Sequence, residues 1–201
     1  DTRNGASSKL KESNATNNMM HYTLPSMVDG LTVAASYVPS AGSDESDTAY
    51  SLSYTGIEGL TVSYGSGTAD GQAAAVTGAE TIASNADAST IKLSYVYGSV
   101  TVAYSDHEYD SSLADGTEDQ DVTSWKLSYT VSDAISVSYA EEEMESGTTT
   151  DSDAKYTKLS TSYTSGGMTL SANLQEMENG DYSTDASADE DYVGLSVSFA
   201  F

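Results

Sequence analysis

Apolar and small polar residues alternate one for one along almost the whole of this 201-residue chain. Leu31, Val33, Ala35 and Tyr37 interleave with Thr32, Ala34 and Ser36, and Ile135, Val137 and Tyr139 with Ser136 and Ser138. A period of two sends successive side chains to opposite faces of a β-strand, so each such segment has one aliphatic and aromatic face and one of Ser, Thr, Gly and Ala. Eleven segments read this way: 17–24, 31–38, 48–55, 60–67, 89–97, 99–107, 121–131, 135–143, 155–164, 168–177 and 191–201. None shows the i, i+3, i+4 spacing of an amphipathic helix. Short connections rich in Gly, Pro and Asp (25–30, 56–59, 98–99, 132–134, 165–167) alternate with long ones (39–48, 65–88, 108–120, 144–154, 178–190). Strict alternation of short and long predicts an antiparallel up-and-down meander whose two ends differ.

The charge sorts to one end. Of 31 acidic residues, 26 fall in or beside the long connections, while the short turns hold only Asp29, Glu58 and Asp133. The net charge of −24 is thus expected on one rim, unlike a soluble acid-rich globule, whose carboxylates cover every exposed face. Seven basic residues cannot supply the stripe that neutralises a phosphate backbone, which excludes a nucleic-acid partner. With no cysteine, a disulfide scaffold or thiolate-ligated metal is excluded. No run is long and apolar enough for a transmembrane helix. The residues from Asp1 onward carry no apolar leader, so the expectation is a cytosolic chain, a processed one, or a piece of something longer.

Tyrosine positions decide which face points outward. On segments running toward the long connections Tyr comes late (Tyr37, Tyr64, Tyr104, Tyr139); on returning segments it sits beside the short turns (Tyr22, Tyr54, Tyr95, Tyr129, Tyr163). All lie on the apolar face, so they predict two aromatic belts flanking an aliphatic band, the exterior of an outer-membrane barrel. A Tyr-rich soluble sandwich or solenoid is the competing reading. Val193, Leu195, Val197, Phe199 and Phe201 end the chain on an alternating strand with a terminal aromatic. That ending resembles the signal read by the outer-membrane insertion machinery.

Asn17 to Val33 (NNMMHYTLPSMVDGLTV) resembles a hairpin of the Gram-negative general porins: an Asn-led strand with a Tyr, a Pro-Ser turn, and Gly-Leu-Thr-Val opening the next strand. The resemblance implies an all-β, transmembrane, sixteen-stranded trimeric barrel in the bacterial outer membrane, conducting ions and small solutes and surrounded by lipid. In that family this hairpin follows a long third loop that folds into the lumen. Counting back from Phe201 makes the eleven segments strands six to sixteen, which also puts 17–24 directly after that loop. Residues 1–201 are then a single barrel domain lacking an N-terminal part, with 1–16 a remnant of the third loop. The other reading is a complete twelve-stranded barrel with a weak extra strand in 5–12.

No covalent chemistry is expected, and no catalytic residues. By parity the polar face, including His21, Thr32, Ser53, Ser63, Ser94, Thr101, Ser128, Ser136, Ser160 and Asn173, lines the lumen. Lys92, Lys126 and Lys158 share that face on strands of one direction and predict a positive arc; lysines in a wet lumen with no special role are the plainer reading. The acidic mouth is expected to comprise Asp106, Glu108 and Asp110; Glu118, Asp119 and Asp121; Glu141, Glu142, Glu143 and Glu145; and Asp189, Glu190 and Asp191. Such a rim concentrates cations, or binds divalent ions loosely, or only keeps the loops solvated. No dedicated metal site or cofactor is expected, and His107, between Asp106 and Glu108, reads as a solvated loop residue. The reading from another class is a surface adhesin or structural β-protein whose acidic loops bind divalent cations or a partner.

Overall fold

A computed structural model describes residues 19–39, 46–70, 85–111, 119–148 and 151–200. Its strands are β1 (Met20–Thr23), β2 (Leu31–Val38), β3 (Asp47–Tyr54), β4 (Leu60–Asp70), β5 (Asn85–Tyr97), β6 (Val100–Asp110), β7 (Gln120–Ser132), β8 (Ile135–Ser146), β9 (Ala154–Ser165), β10 (Met168–Glu178) and β11 (Glu190–Phe199). They form one antiparallel sheet in which each strand pairs with its sequence neighbours, so β1 and β11 are its edges. Glu118, the segment 1–16 and Phe201 lie outside the described residues.

Register preserves the alternation across strands. Leu127 lies opposite Val102 and Tyr139 on one face; Ser128 lies opposite Thr101 and Ser138 on the other. The apolar face is the exposed one: Leu127 is 46%, Tyr129 50% and Leu195 76% exposed. Three aromatic pairs lie on it, Tyr50–Tyr64, Tyr95–Tyr97 and Trp125–Tyr139, the last with ring centroids 5.3 Å apart. In water such a face would demand cover; against hydrocarbon it is the stable arrangement.

The short turns are tight. At Gly59 φ is +77°, and a Cβ would collide with the carbonyl oxygen of Val96, whose N–H donates to the Gly59 carbonyl at 2.8 Å. Only glycine combines that torsion with that approach.

At the opposite end the strands outrun the sequence expectation. β4 and β5 pair as far as Asp70 and Asn85, β6 reaches Asp110, and β8 reaches Ser146. Gly, Asp and Glu are poor strand formers. The backbone ladder below them is already in register, however, and each further residue extends it without a new closure cost.

In these extensions the polarity of the two faces inverts. On β6 the exterior sequence Val102, Tyr104 continues as Asp106, Glu108, Asp110, while the interior Thr101, Ala103, Ser105 continues as His107 and Tyr109. On β8, Ile135, Val137 and Tyr139 give way to Glu141, Glu143 and Glu145 outside, and Ser136 and Ser138 to Glu142 and Met144 inside. Apart from Ala34 on β2, the buried apolar residues among those described gather on the inner face of this upper part. One group is Ala86, Ala88 and Tyr109; the other is Val122, Met144, Ala154 and Tyr156. An outer face that switches from apolar to acidic is the pattern of a surface passing from hydrocarbon into water.

Candidate functional site

The inner face below the switch is a wall of hydroxyls in cross-strand rows. Thr32, Ser53, Ser63, Lys92, Ser105, Ser124 and Glu142 stand side by side from β2 to β8. A second row runs Thr61, Ser94, Ala103, Lys126, Ala140, Lys158 and Gln175. A third places Thr101, Ser128, Ser138, Ser160 and Asn173 together. Serine pairs close across strands: Ser53–Ser63 at 3.2 Å, Ser105–Ser124 at 2.8 Å and Ser136–Ser162 at 2.7 Å. Directly opposed hydroxyls satisfy one another and still offer lone pairs to water.

Lys92, Lys126 and Lys158 come together. They line one open recess of about 450 Å³ with Ser94, Ser105, Ser124, Ser138, Ser160 and Glu142. Lys126 and Lys158 share a row two strands apart, about 10 Å in backbone terms. Lys92 stands in the adjoining row. Two carboxylates, Glu141 and Glu142, also line it, so three lysines against two glutamates leave the recess with a net positive charge on a wall otherwise made of hydroxyls. His21 lies apart, on the inner face of β1 beside Thr23 (Oγ1 to Nε2 3.3 Å).

The acidic residues are arranged differently from a set of loops. Asp106, Glu108, Asp110, Asp121, Glu141, Glu143 and Glu145 belong to the hydrogen-bonded strand extensions and stand on their outer face. Glu108 is opposite Asp121, Asp121 opposite Glu145, Asp87 opposite Asp110, and Glu176 opposite Asp191. Lys155, on the same face, pairs with Glu141 at 3.1 Å. Asp121 and Glu145 stand above the aromatic belt, outside the lipid-facing stretch. Partial burial, then neighbouring carboxylates, raise both above the ordinary carboxylate range. Glu142, one residue out of phase with its neighbours, is instead buried on the inner face. His107 is likewise a strand residue of the inner face, with Thr90 Oγ1 2.7 Å from its Nδ1. Asp119 accepts from Ser111 N and Oγ at 2.9 and 2.7 Å, and Asp189 from the Asn179 N–H at 2.9 Å. Glu190 and Asp191 open β11. Among the described residues no three His, Cys, Asp or Glu side chains converge as a metal site.

Sequence reasoning passed over Ser105, Ser124 and Ser138, although parity alone puts them on this wall. Parity also puts Glu142 inside; composition had assigned it to the rim. Gln120 and Tyr182, hydrogen-bonded across 62 residues, carried no local signal.

The chain matches a family model described as Gram-negative porin over residues 2–182. Solved structures resemble it in fold. Salmonella typhi OmpF, in complex with daunomycin, is 16% identical with a TM-score of 0.64, the match covering 90% of this chain and 61% of that one. A further solved porin is 19% identical with a TM-score of 0.62, covering 91% and 61%. The anion-selective porin from Comamonas acidovorans is 20% identical with a TM-score of 0.57, covering 89% and 54%. The chain thus spans between 54% and 61% of the length of these three structures. Among curated proteins none matches.

Proposed function

This chain belongs to the Gram-negative porin family of outer-membrane β-barrels, and from that premise we propose that it forms wall and mouth of a water-filled channel for passive diffusion of ions and small hydrophilic solutes. The observation that carries the reading is the division of the sheet: an exposed apolar exterior, and an interior of paired hydroxyls interrupted by three lysines. Hydroxyls exchange hydrogen bonds with passing water and solute without holding either. The family and fold are those of a channel rather than an enzyme.

The finer reading concerns charge. The acidic palisade outside and above the lumen raises local cation concentration within about a Debye length, roughly 8 Å at 0.15 M salt. The lysine recess acts in the opposite sense on the inner wall, so net selectivity is a difference between mouth and wall. Divalent cations are drawn to the opposed carboxylates as a diffuse cloud. The barrel sits among outer-membrane lipids as a homotrimer, as the family resemblance implies, and the alternating C-terminal sequence that closes on Phe201 is read by the insertion machinery.

Planar-bilayer recording of the full-length protein tests this. Stepwise conductance is expected from the wild type. Replacing Lys92, Lys126 and Lys158 together by Gln is expected to move the zero-current potential in a salt gradient toward cation preference. A silent wild type refutes the channel; an unchanged potential removes the lysines from selectivity.

A further inference from the structure

The connection between β10 and β11 does not project away from the barrel. Its first turn reaches back to the inner face of β7, β8 and β9, while Asp189 returns to Asn179 at the base of the segment. That turn, Gly180–Tyr182, brings Tyr182 against Met177 and the buried group Val122, Met144, Ala154 and Tyr156. Gln120 Nε2 donates to the Tyr182 hydroxyl, and the Ser152 N–H to the Tyr182 carbonyl at 3.3 Å. Asn179 ties the base of the segment, with Nδ2 donating to the Asp153 carbonyl at 3.1 Å and its N–H to Asp189 at 2.9 Å.

The backbone adopts an uncommon shape to do this. Asn179, Asp181 and Tyr182 have φ of 50°, 56° and 62°. Non-glycine residues hold the left-handed region only where their surroundings over-determine it. Gly180 between them is buried, and a Cβ there would lie 2.7 Å from the Ala188 carbonyl oxygen and from Met177 Cε. The ground on which Tyr182 lands supplies the reason. Above the lipid boundary the inner face turns apolar, and without a cover that patch would face the water of the lumen.

We propose that residues 179–189 form a hood, anchored by Tyr182, that overhangs the lumen above the lysine recess and narrows the channel on its β7–β10 side. This rests on the channel reading. Tyr182 is a positioning residue: it holds the segment in place, and the bulk and carboxylates of the segment (Asp181, Asp185) do the restricting.

The test uses the full-length protein in planar bilayers and in liposomes swollen with sugars of graded size. Tyr182→Gly removes the anchor and relaxes the left-handed torsion together. It is expected to raise single-channel conductance by up to about twofold and to admit larger sugars, as a wider constriction does. Gln120→Ala and Tyr182→Phe leave the backbone unchanged and serve if the glycine variant does not insert; they are expected to add excursions to the higher conductance level. Residues 1–201 hold no cysteine, so a thiol introduced here, compared with the same protein without it, allows an independent measurement. Asp185→Cys, modified by a bulky thiol reagent, is expected to cut conductance if the hood overhangs the lumen. A wild type that conducts, with variants that insert at unchanged conductance and sugar cut-off and a cysteine whose modification leaves the current unaltered, overturns the hood alone. A wild type that does not conduct overturns the channel reading and the hood with it.

Discussion

The lower and upper parts of the sheet share one hydrogen-bonded ladder and obey opposite rules. Between the aromatic belts, Leu127 and Val137 face out and Ser128 and Ser136 face in. A few residues further along the same strands, Asp121 and Glu145 face out and Val122 and Met144 face in. Backbone geometry is indifferent to the change. What differs is the medium outside: hydrocarbon below, water above. A strand crossing that boundary keeps its period of two and reverses its phase, so the reversal locates the boundary from side chains alone.

This contrast can be broken experimentally. The largest effect is expected from a charge in the band: Leu127→Arg should cost about 2–4 kcal/mol in denaturant unfolding from lipid vesicles. The same residue class in the palisade should do the reverse, because Glu108→Lys turns its opposition to Asp121 from repulsive to attractive, a gain of a few tenths to about 1 kcal/mol. If both substitutions cost alike, the boundary is misplaced. Inside, Met144→Ala removes a side chain only 1% exposed and should cost about 2 kcal/mol or more. Ser138→Ala, on the wet wall below, should change stability by less than about 0.5 kcal/mol. Thermal or chemical unfolding of the two variants side by side checks this.

The smallest effect concerns pH. Asp121 has its carboxyl raised by burial first, then by the charges of Asp106 and Asp119. The native state then holds that proton more tightly than the unfolded chain does. Ionisation therefore costs stability, and the cost appears as pH rises from the unfolded carboxylate value through the raised native one. Asp121→Asn should stabilise slightly at neutral pH, less in high salt, and not at all below the unfolded carboxyl range. Melting curves at pH 3 and pH 7 decide it; an equal shift at both would show that the charge is irrelevant.

Much of the fold is legible in the sequence, because period-two alternation and turn residues are local. The eleven strands occur in the anticipated order, and the short turns fall at Gly30, Gly59, Gly98 and Gly166 as the chain's punctuation implies. Strand ends at the acidic side were not legible. Asp110 and Ser146 look like loop residues, and only the ladder beneath them keeps them paired. The same bias hid Glu142, where composition said rim and parity said interior. The Tyr182 contact was beyond reach for a different reason: Asn-Gly-Asp tolerates left-handed torsions and so marks a turn, but its partners lie on three other strands and nothing local says where the turn lands.

Because every described strand pairs only with its sequence neighbours, nothing in this sheet short of the closing of the barrel joins distant parts of the chain. The entropy of bringing partners together is therefore spent one hairpin at a time and grows only slowly with the length of each connection. Such a chain can be laid down as a zipper, each completed hairpin offering an edge to the next. Long connections can then lengthen or shorten with little effect on assembly, whereas an insertion in a glycine turn such as that at Gly59 would stall it.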